Sequence, residues 1–237
     1  DAMMRAALAL ARRSLGRTWP NPAVGCVIVR DGEIIARGRT QDGGRPHAEV
    51  DALRQAGEGA KGATVYVTLE PCSHHGRSPP CADALVAAGV ARVVSALEDP
   101  NPQVNGQGHA RLRAAGIAVE VGEGAAEAAE INAGFLLRVR EGRPLIHLKL
   151  ATSLDGRVAT ASGESQWITG PEARAWGHRL RATHDAILVG ANTVAQDDPE
   201  LTCRLPGLAR YSPIRVVLDT RARLDPASRL ATTARAH

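Results

Sequence analysis

Between residues 23 and 122 short apolar runs alternate with segments of helical period, and each helical segment stops at a glycine. A chain written in this way builds a sheet flanked by helices, an α/β domain. AVGCVIV (23–29) and EIIARG (33–38) are predicted strands joined by the turn pair Asp31-Gly32, and residues 2–14 before them have apolar positions at helical spacing. HAEVDALRQAG (47–57) is a predicted helix, ATVYVTL (63–69) a buried strand, CADALVAAG (81–89) a helix and ARVVSAL (91–97) a strand. GHARLRAAG and IAVEVG repeat the helix and strand pattern, and one longer helix is predicted over 125–142. Gly142 and Pro144 in EGRP (141–144) end it, so the first domain is expected to be 1–142.

A second α/β series is expected over 145–237. LIHLKLATS (145–153) is a predicted strand followed by the turn LDGR, and in ITGPEARAW Thr169 and Glu172 have capping-box spacing at a helix start. DAILVG (185–190) and IRVVLD (214–219) are further strands. No internal repeat or low-complexity segment interrupts either series. The first residue is not Met and the last residues are a ragged ATTARAH, from which both termini are expected to be cut from a longer protein.

Composition removes several function classes. With 44% hydrophobic and 23% charged residues, neither disorder nor a membrane class is indicated, and no apolar run approaches the 18 or so residues of a spanning helix or reads as a signal peptide. Four unevenly spaced cysteines make no disulfide scaffold, so a reducing, cytoplasmic setting is expected. The +4 net charge comes from scattered arginines, and three Trp, two Tyr and one Phe leave little for base stacking. Small anionic ligands suit that excess better than nucleic acid.

The chemistry concentrates in three short pieces: His47-Ala48-Glu49 at a helix start, Pro71-Cys72, and Cys81 at the next helix start after SHHGRSPP. One His and two Cys supply three zinc ligands and leave the fourth tetrahedral position to water, the arrangement of a catalytic site. Zinc lowers the pKa of that water toward about 7. Helix N-termini favour thiolate over thiol, and Cys81 is expected to gain most. Glu49, two residues past His47, is placed to carry a proton from the water to a departing amine without binding metal. His74 and His75 are expected to meet substrate rather than metal, and Cys26, inside an apolar strand, is expected to be core.

These residue types in this order are those of the zinc deaminases. The cytidine-deaminase-like superfamily separates its two cysteines by two residues, whereas eight intervene here. With TWPNPAVGCVIV (18–29), RPHAEVDAL (45–53), LEPCSHHGRSPPCADAL (69–85) and EDPNPQVNGQG (98–108), the first domain closely resembles the riboflavin-biosynthesis deaminases. LKLATSLDGRVA (148–159), SQWITG (165–170) and DAILVGANTVAQDDPELTCR (185–204) resemble the reductase half of the bifunctional deaminase-reductase family.

The resemblance implies a cytidine-deaminase-like α/β/α sandwich followed by part of a dihydrofolate-reductase-like α/β domain. It also implies deamination of a phosphoribosylaminopyrimidine, then NADPH-dependent reduction of its ribosyl unit to ribityl. His47, Cys72 and Cys81 fall at the family's zinc ligands and Glu49 at its proton shuttle. Asn21, His74 and Arg77 fall where relatives contact the pyrimidine or its phosphoribosyl part. Lys149, Ala151, Trp167, Thr193 and Asp197 fall near NADPH or the reacting centre, and Ser165, Arg181, Leu201 and Arg204 near substrate. Relatives associate as dimers or larger assemblies, so a homo-oligomer is implied.

Independently of the family, lysine occurs only as Lys61 and Lys149, and Lys149 alternates with leucines where a compact donor would fit better than a guanidinium fork. The family's reductase continues past residue 237, so the chain is expected to deaminate but to reduce poorly. Two other readings follow from the same ligands. A deaminase of nucleobases, such as a tRNA adenosine, would have the short cysteine spacing and strand-binding aromatic or basic surfaces. A structural zinc module would have a fourth protein ligand and no positioned glutamate.

Overall fold

The structure is a computed structural model that describes residues 2–76 and 78–234. It separates into two compact units, Asp1–Ile146 and His147–His237.

In the first unit α1 (Ala2–Arg12) precedes β1 (Gly25–Arg30) and β2 (Glu33–Arg39), an antiparallel hairpin. Its turn residues Asp31 and Gly32 have φ of 52° and 81°, as a two-residue turn matched to the strand twist requires. Then follow α2 (Ala48–Ala56), β3 (Thr64–Val67), α3 (Cys81–Ala87), β4 (Arg92–Ser95), α4 (Gln107–Ala114), β5 (Ala118–Val121), α5 (Ala125–Ile131) and α6 (Ala133–Glu141). The sheet runs β2-β1-β3-β4-β5, with β1 antiparallel to both neighbours and β3, β4 and β5 mutually parallel.

Successive strand residues face opposite ways, and the two cores divide accordingly. Cys26, Ile28, Val65, Val67 and Val93 pack with Ala48 and Ala52 of α2, Leu85 of α3 and Leu112 of α4. Val27, Val29, Tyr66 and Val94 pack with Met4, Ala7, Leu8 and Ala11 of α1 and Ala128 and Ile131 of α5. The unit is an α/β/α sandwich, and Cys26 is core as expected.

The helix predicted over 125–142 is two helices. It breaks at Asn132, whose φ and ψ are −100° and 18°, because the buried side chain pairs with a distant backbone. Its Oδ1 accepts from the Ala23 N–H at 2.9 Å and its Nδ2 donates to the Ala23 C=O at 3.0 Å. These bonds satisfy both main-chain groups of the buried Ala23, and they hold α6 beside residues 20–24.

Strand β2 touches α2 at Gly38. A Cβ there would lie 2.0 Å from the Ala48 carbonyl oxygen and 2.6 Å from the Ala52 nitrogen. Both obstacles are backbone, so Gly38→Ala must push the start of α2 off the sheet. We expect a loss of about 1–3 kcal/mol or more in urea unfolding, and an unchanged midpoint would show that this contact is looser than the geometry says.

The second unit contains α7 (Pro171–Thr183), β6 (Ala186–Gly190), α8 (Ala191–Asp197), β7 (Ile214–Leu218) and α9 (Arg229–Thr232). Strands β6 and β7 are parallel and form a two-stranded sheet. A small core of Val194, Leu201 and Leu230 packs against Ile187, Val189, Val217 and Leu224. Leu188, Ile214 and Leu218 are exposed.

Residues 145–153 form no strand among the described residues, although they alternate as predicted. A strand exists only through ladder partners; without one, Ile146 and Leu148 are 80% and 83% exposed. The turn after this stretch is present, with Ser153 N–H donating to the Arg157 C=O at 2.9 Å. Nor does Thr169 cap α7: Pro171 takes the first helical position, which makes Gly170 the cap residue. Among the described residues no helix is long and apolar enough to cross a membrane.

Candidate metal centre and substrate cavity

His47 is the N-cap residue of α2, Cys81 is the first residue of α3, and Cys72 lies in the segment between β3 and α3. Their donor atoms all lie within 4.8 Å of one another. His47 Nδ1 is 3.3 Å from Cys81 Sγ and 3.7 Å from Cys72 Sγ. Tetrahedral zinc with ordinary Zn–N and Zn–S lengths holds such atoms about 3.6 Å apart, so the donor set fits the ion. His74 and His75 are exposed and stand outside this group.

The thiols differ in a way the sequence reading did not anticipate. Cys72 is held down at about 4, chiefly by a hydrogen bond from the Cys81 thiol, while the Cys81 thiol is pushed well up by that bond and by burial. The first amide of α3, Cys81 N–H, donates to Cys72 Sγ at 3.2 Å. The helix start therefore favours the thiolate of Cys72, not of Cys81. His47 is raised, mainly by its hydrogen bond with Cys72.

Glu49 occupies the first turn of α2 and is 4% exposed. Burial lifts its carboxyl to about 7, against the opposing pull of the His47 charge. A buried carboxyl of that kind exchanges protons readily near neutrality.

His47, Cys72 and Glu49 line a cavity of about 490 Å³, a size suited to a small-molecule ligand, while Cys81 is buried. Of the other sequence-named residues, Asn21 and His74 line it too. Asn21 is half-buried and donates through Nδ2 to the Gly44 C=O at 2.7 Å. Arg77 lies outside the described residues. Arg45, Asp99, Asn101 and Arg138, for which the sequence alone indicates no individual role, line the same cavity. Arg45 hydrogen bonds to Ser78 Oγ, and Arg138 donates to the Pro20 C=O at 2.8 Å while stacking on Trp19 at 4.9 Å. Burial raises the Asp99 carboxyl above its usual range. The motif 98–108 was a signal for Asp99 and Asn101; Arg138, on a helix face, carried none.

In the second unit Arg181 Nη1 donates to the Thr202 C=O at 3.0 Å and meets His178, whose Nδ1 accepts from the Arg204 N–H at 3.2 Å. Arg181, Leu201 and Arg204 thus share one neighbourhood, in which the Leu201 side chain is core. Burial, then the Arg204 charge, lowers the Arg181 pKa. Ser165 is exposed, and Trp167 is exposed with Arg174 stacked on it at 4.5 Å. Lys149 is exposed beside Gly177, Ala151 is half-buried, and Thr193 and Asp197 lie on the exposed side of α8. A separate crevice of about 220 Å³ opens at the carboxyl ends of β6 and β7, lined by Gly190, Ala191, Asn192, Leu218, Asp219, Thr220 and Arg223. Crevices at that end of parallel strands are the usual ligand sites of such sheets.

Residues 1–97 match the family described as cytidine and deoxycytidylate deaminase zinc-binding region, and residues 144–237 match the RibD C-terminal domain. The riboflavin biosynthesis protein RibD of Escherichia coli (strain K12) is 57% identical over 238 residues, which cover 96% of this chain and 65% of that protein. RibD of Haemophilus influenzae is 49% identical over 97% of this chain and 65% of its own length. Among solved structures, RibD of Acinetobacter baumannii (form 1) superposes with a TM-score of 0.91 at 50% identity, over 98% of this chain and 66% of that one. A diaminohydroxyphosphoribosylaminopyrimidine deaminase/5-amino-6-(5-phosphoribosylamino)uracil reductase of Thermotoga maritima gives a TM-score of 0.87 at 43% identity, over 93% and 63%. The chain therefore spans about two thirds of the length of the relatives it matches.

Proposed function

The chain belongs to the RibD family of riboflavin biosynthesis proteins, and from that premise we propose that residues 1–142 deaminate a diaminopyrimidine carrying a phosphoribosylamino group. In this reading residues 145–237 are the first part of a reductase domain that takes NADPH. The observation that carries the deaminase is the His47, Cys72 and Cys81 cluster, whose His47 and Cys72 share one cavity with a buried, protonatable Glu49. A structural zinc module would need neither the cavity nor the glutamate.

His47 Nδ1 and the two thiolates are the zinc ligands in this reading. Zinc, when bound, supplies Lewis acidity and brings a water toward a pKa of about 7. Glu49 takes a proton from the attacking water and delivers it to the amino group. The new C–O bond replaces the C–N bond, and ammonia leaves. Cations at Arg45 and Arg138 suit a phosphorylated substrate, and the Asp99 carboxyl suits a substrate bearing amino donors. In the second unit the crevice at the carboxyl ends of β6 and β7, whose wall carries Arg223 as well as Asp219, is the candidate place for a phosphate-bearing cofactor. The assignments of Lys149, Ala151, Trp167, Thr193 and Asp197 to NADPH, and of Ser165, Arg181, Leu201 and Arg204 to substrate, rest on family resemblance, supported for Arg181 and Arg204 by their shared neighbourhood. A homo-oligomer rests on family resemblance, and a cytoplasmic setting on the cysteine usage of the chain.

The test is ammonia release from the diaminopyrimidine ribosyl-phosphate by zinc-loaded protein, with cytidine and a tRNA adenosine stem as comparisons. Release from the first substrate alone is the expected result; release from the others alone overturns the substrate assignment. With the deaminated product and NADPH, the 237-residue chain is expected to show little NADPH oxidation, since the two-stranded sheet exposes Leu188, Ile214 and Leu218 beside the crevice. Rapid oxidation would show that this unit holds its cofactor as it stands.

A further inference from the structure

Glu70 lies two residues before Cys72, and its side chain is fully buried. A buried carboxylate without partners would be very costly, so where its oxygens point is informative. Both oxygens accept main-chain N–H groups from one downstream segment. Oε2 accepts from Asp99 at 3.1 Å and from Gly106 at 3.0 Å. Oε1 accepts from Gly108 at 2.9 Å and from His109 at 3.2 Å. Asp99 and Gly106 are the two ends of a loop, and Gly108 and His109 lie in the first turn of α4, whose amides have no helical acceptor of their own.

Between its two fixed ends the loop is bonded to itself. Asp99 Oδ1 accepts from the Asn101 N–H at 2.9 Å, and the Asn101 C=O accepts from Val104 at 2.7 Å and Asn105 at 2.9 Å. The outcome is a stiff wall: Asp99, Asn101, Pro102 and Val104 all line the cavity that contains His47, Glu49 and Cys72. Gly108 completes the joint from the other side. A Cβ there would stand 2.0 Å from the Pro71 carbonyl oxygen and 3.1 Å from Glu70 Oε1, so the helix start touches the backbone just before Cys72.

We propose that Glu70 is a positioning residue for substrate: by gathering four amides on one carboxylate, it fixes the 99–106 wall at the distance from the His47, Cys72 and Cys81 centre that a bound pyrimidine needs. Glu70 neither holds the metal nor moves a proton. Its effect is carried by Asp99 and Asn101, and it rests on the deaminase reading.

The test uses the whole zinc-loaded chain with two variants. Glu70→Gln keeps the size but replaces one accepting oxygen by an NH2 that faces two N–H donors. Gly108→Ala leaves Glu70 intact and pushes the same joint apart. In both, the KM of the diaminopyrimidine ribosyl-phosphate is expected to rise about tenfold or more; in Glu70→Gln, kcat is expected to change by less than about threefold with zinc content unchanged. In Glu70→Gln, hydrogen exchange of the Asp99, Gly106, Gly108 and His109 amides is expected to quicken about tenfold or more, while β1 and β3 stay protected. Protected amides in Glu70→Gln, or freed amides with an unchanged KM, overturn the proposal, as does loss of kcat and zinc at constant KM. If the unaltered protein releases no ammonia, the deaminase reading fails and takes the substrate role with it; the exchange experiment still reports separately whether the clamp exists.

Discussion

Glu49→Gln is expected to lower ammonia release by about 10²–10⁴-fold, the range that a positioned general acid–base contributes, while zinc content stays that of the unaltered protein. On a transition-state scale this is about 3–5 kcal/mol. The glutamine occupies the same buried space on the first turn of α2, so neither packing nor the three donor atoms should move. What disappears is the ability to accept a proton at one moment and give it back at the next. Metal analysis and ammonia release on the same preparation separate the explanations. A large fall in rate with zinc retained identifies the proton carrier. Zinc lost together with the rate would mean that Glu49 helps to hold the metal, and an unaltered rate would place the proton transfer on another group in the cavity.

What the sequence makes legible here is what depends on residue type at short range. His47 and Cys81, the proposed ligands, stand at helix starts, and those starts can be read from the apolar periodicity and the glycine stops. The strand alternation also sorts correctly: Cys26 and Ile28 face one core, Val27 and Val29 the other. The failures share a long-range cause. Nothing near Asn132 announces that its amide will pair with Ala23, 109 residues away in sequence, and break a helix. Residues 145–153 alternate like a strand, but alternation does not supply a ladder partner. The cavity wall is assembled from residues 20–24, 99–104 and 135–139, so Arg138 reads as an ordinary helical cation until the fold brings it beside Pro20. The helix-start stabilisation expected chiefly for Cys81 goes instead to Cys72, because the Cys81 amide points at Cys72 Sγ rather than at its own side chain, an orientation that residue type does not announce.

That last point shapes the second large effect. Cys81→Ala is expected to abolish both metal retention and ammonia release. It removes a proposed ligand and, in the metal-free site, the thiol whose hydrogen bond contributes most to holding Cys72 down at about 4, ready to take the ion as thiolate. Loss of an outer partner of a metal ligand costs about 10–100-fold in affinity, and loss of a ligand itself should exceed that, so dialysis against a mild chelator should leave the variant without zinc while the unaltered protein keeps it. The fold is expected to survive, because α3 is anchored independently by Ala82 and Leu85 in the core and by the Ala82 N–H bond to the Cys72 C=O at 3.1 Å. The two cysteines act as one unit in this scheme, so Cys72→Ala combined with Cys81→Ala should be no worse than Cys81→Ala alone. Circular dichroism, zinc content and ammonia release decide the matter. Full zinc and full activity in Cys81→Ala would remove Cys81 from the ligand set and return His74, on the same cavity wall, as the candidate third donor.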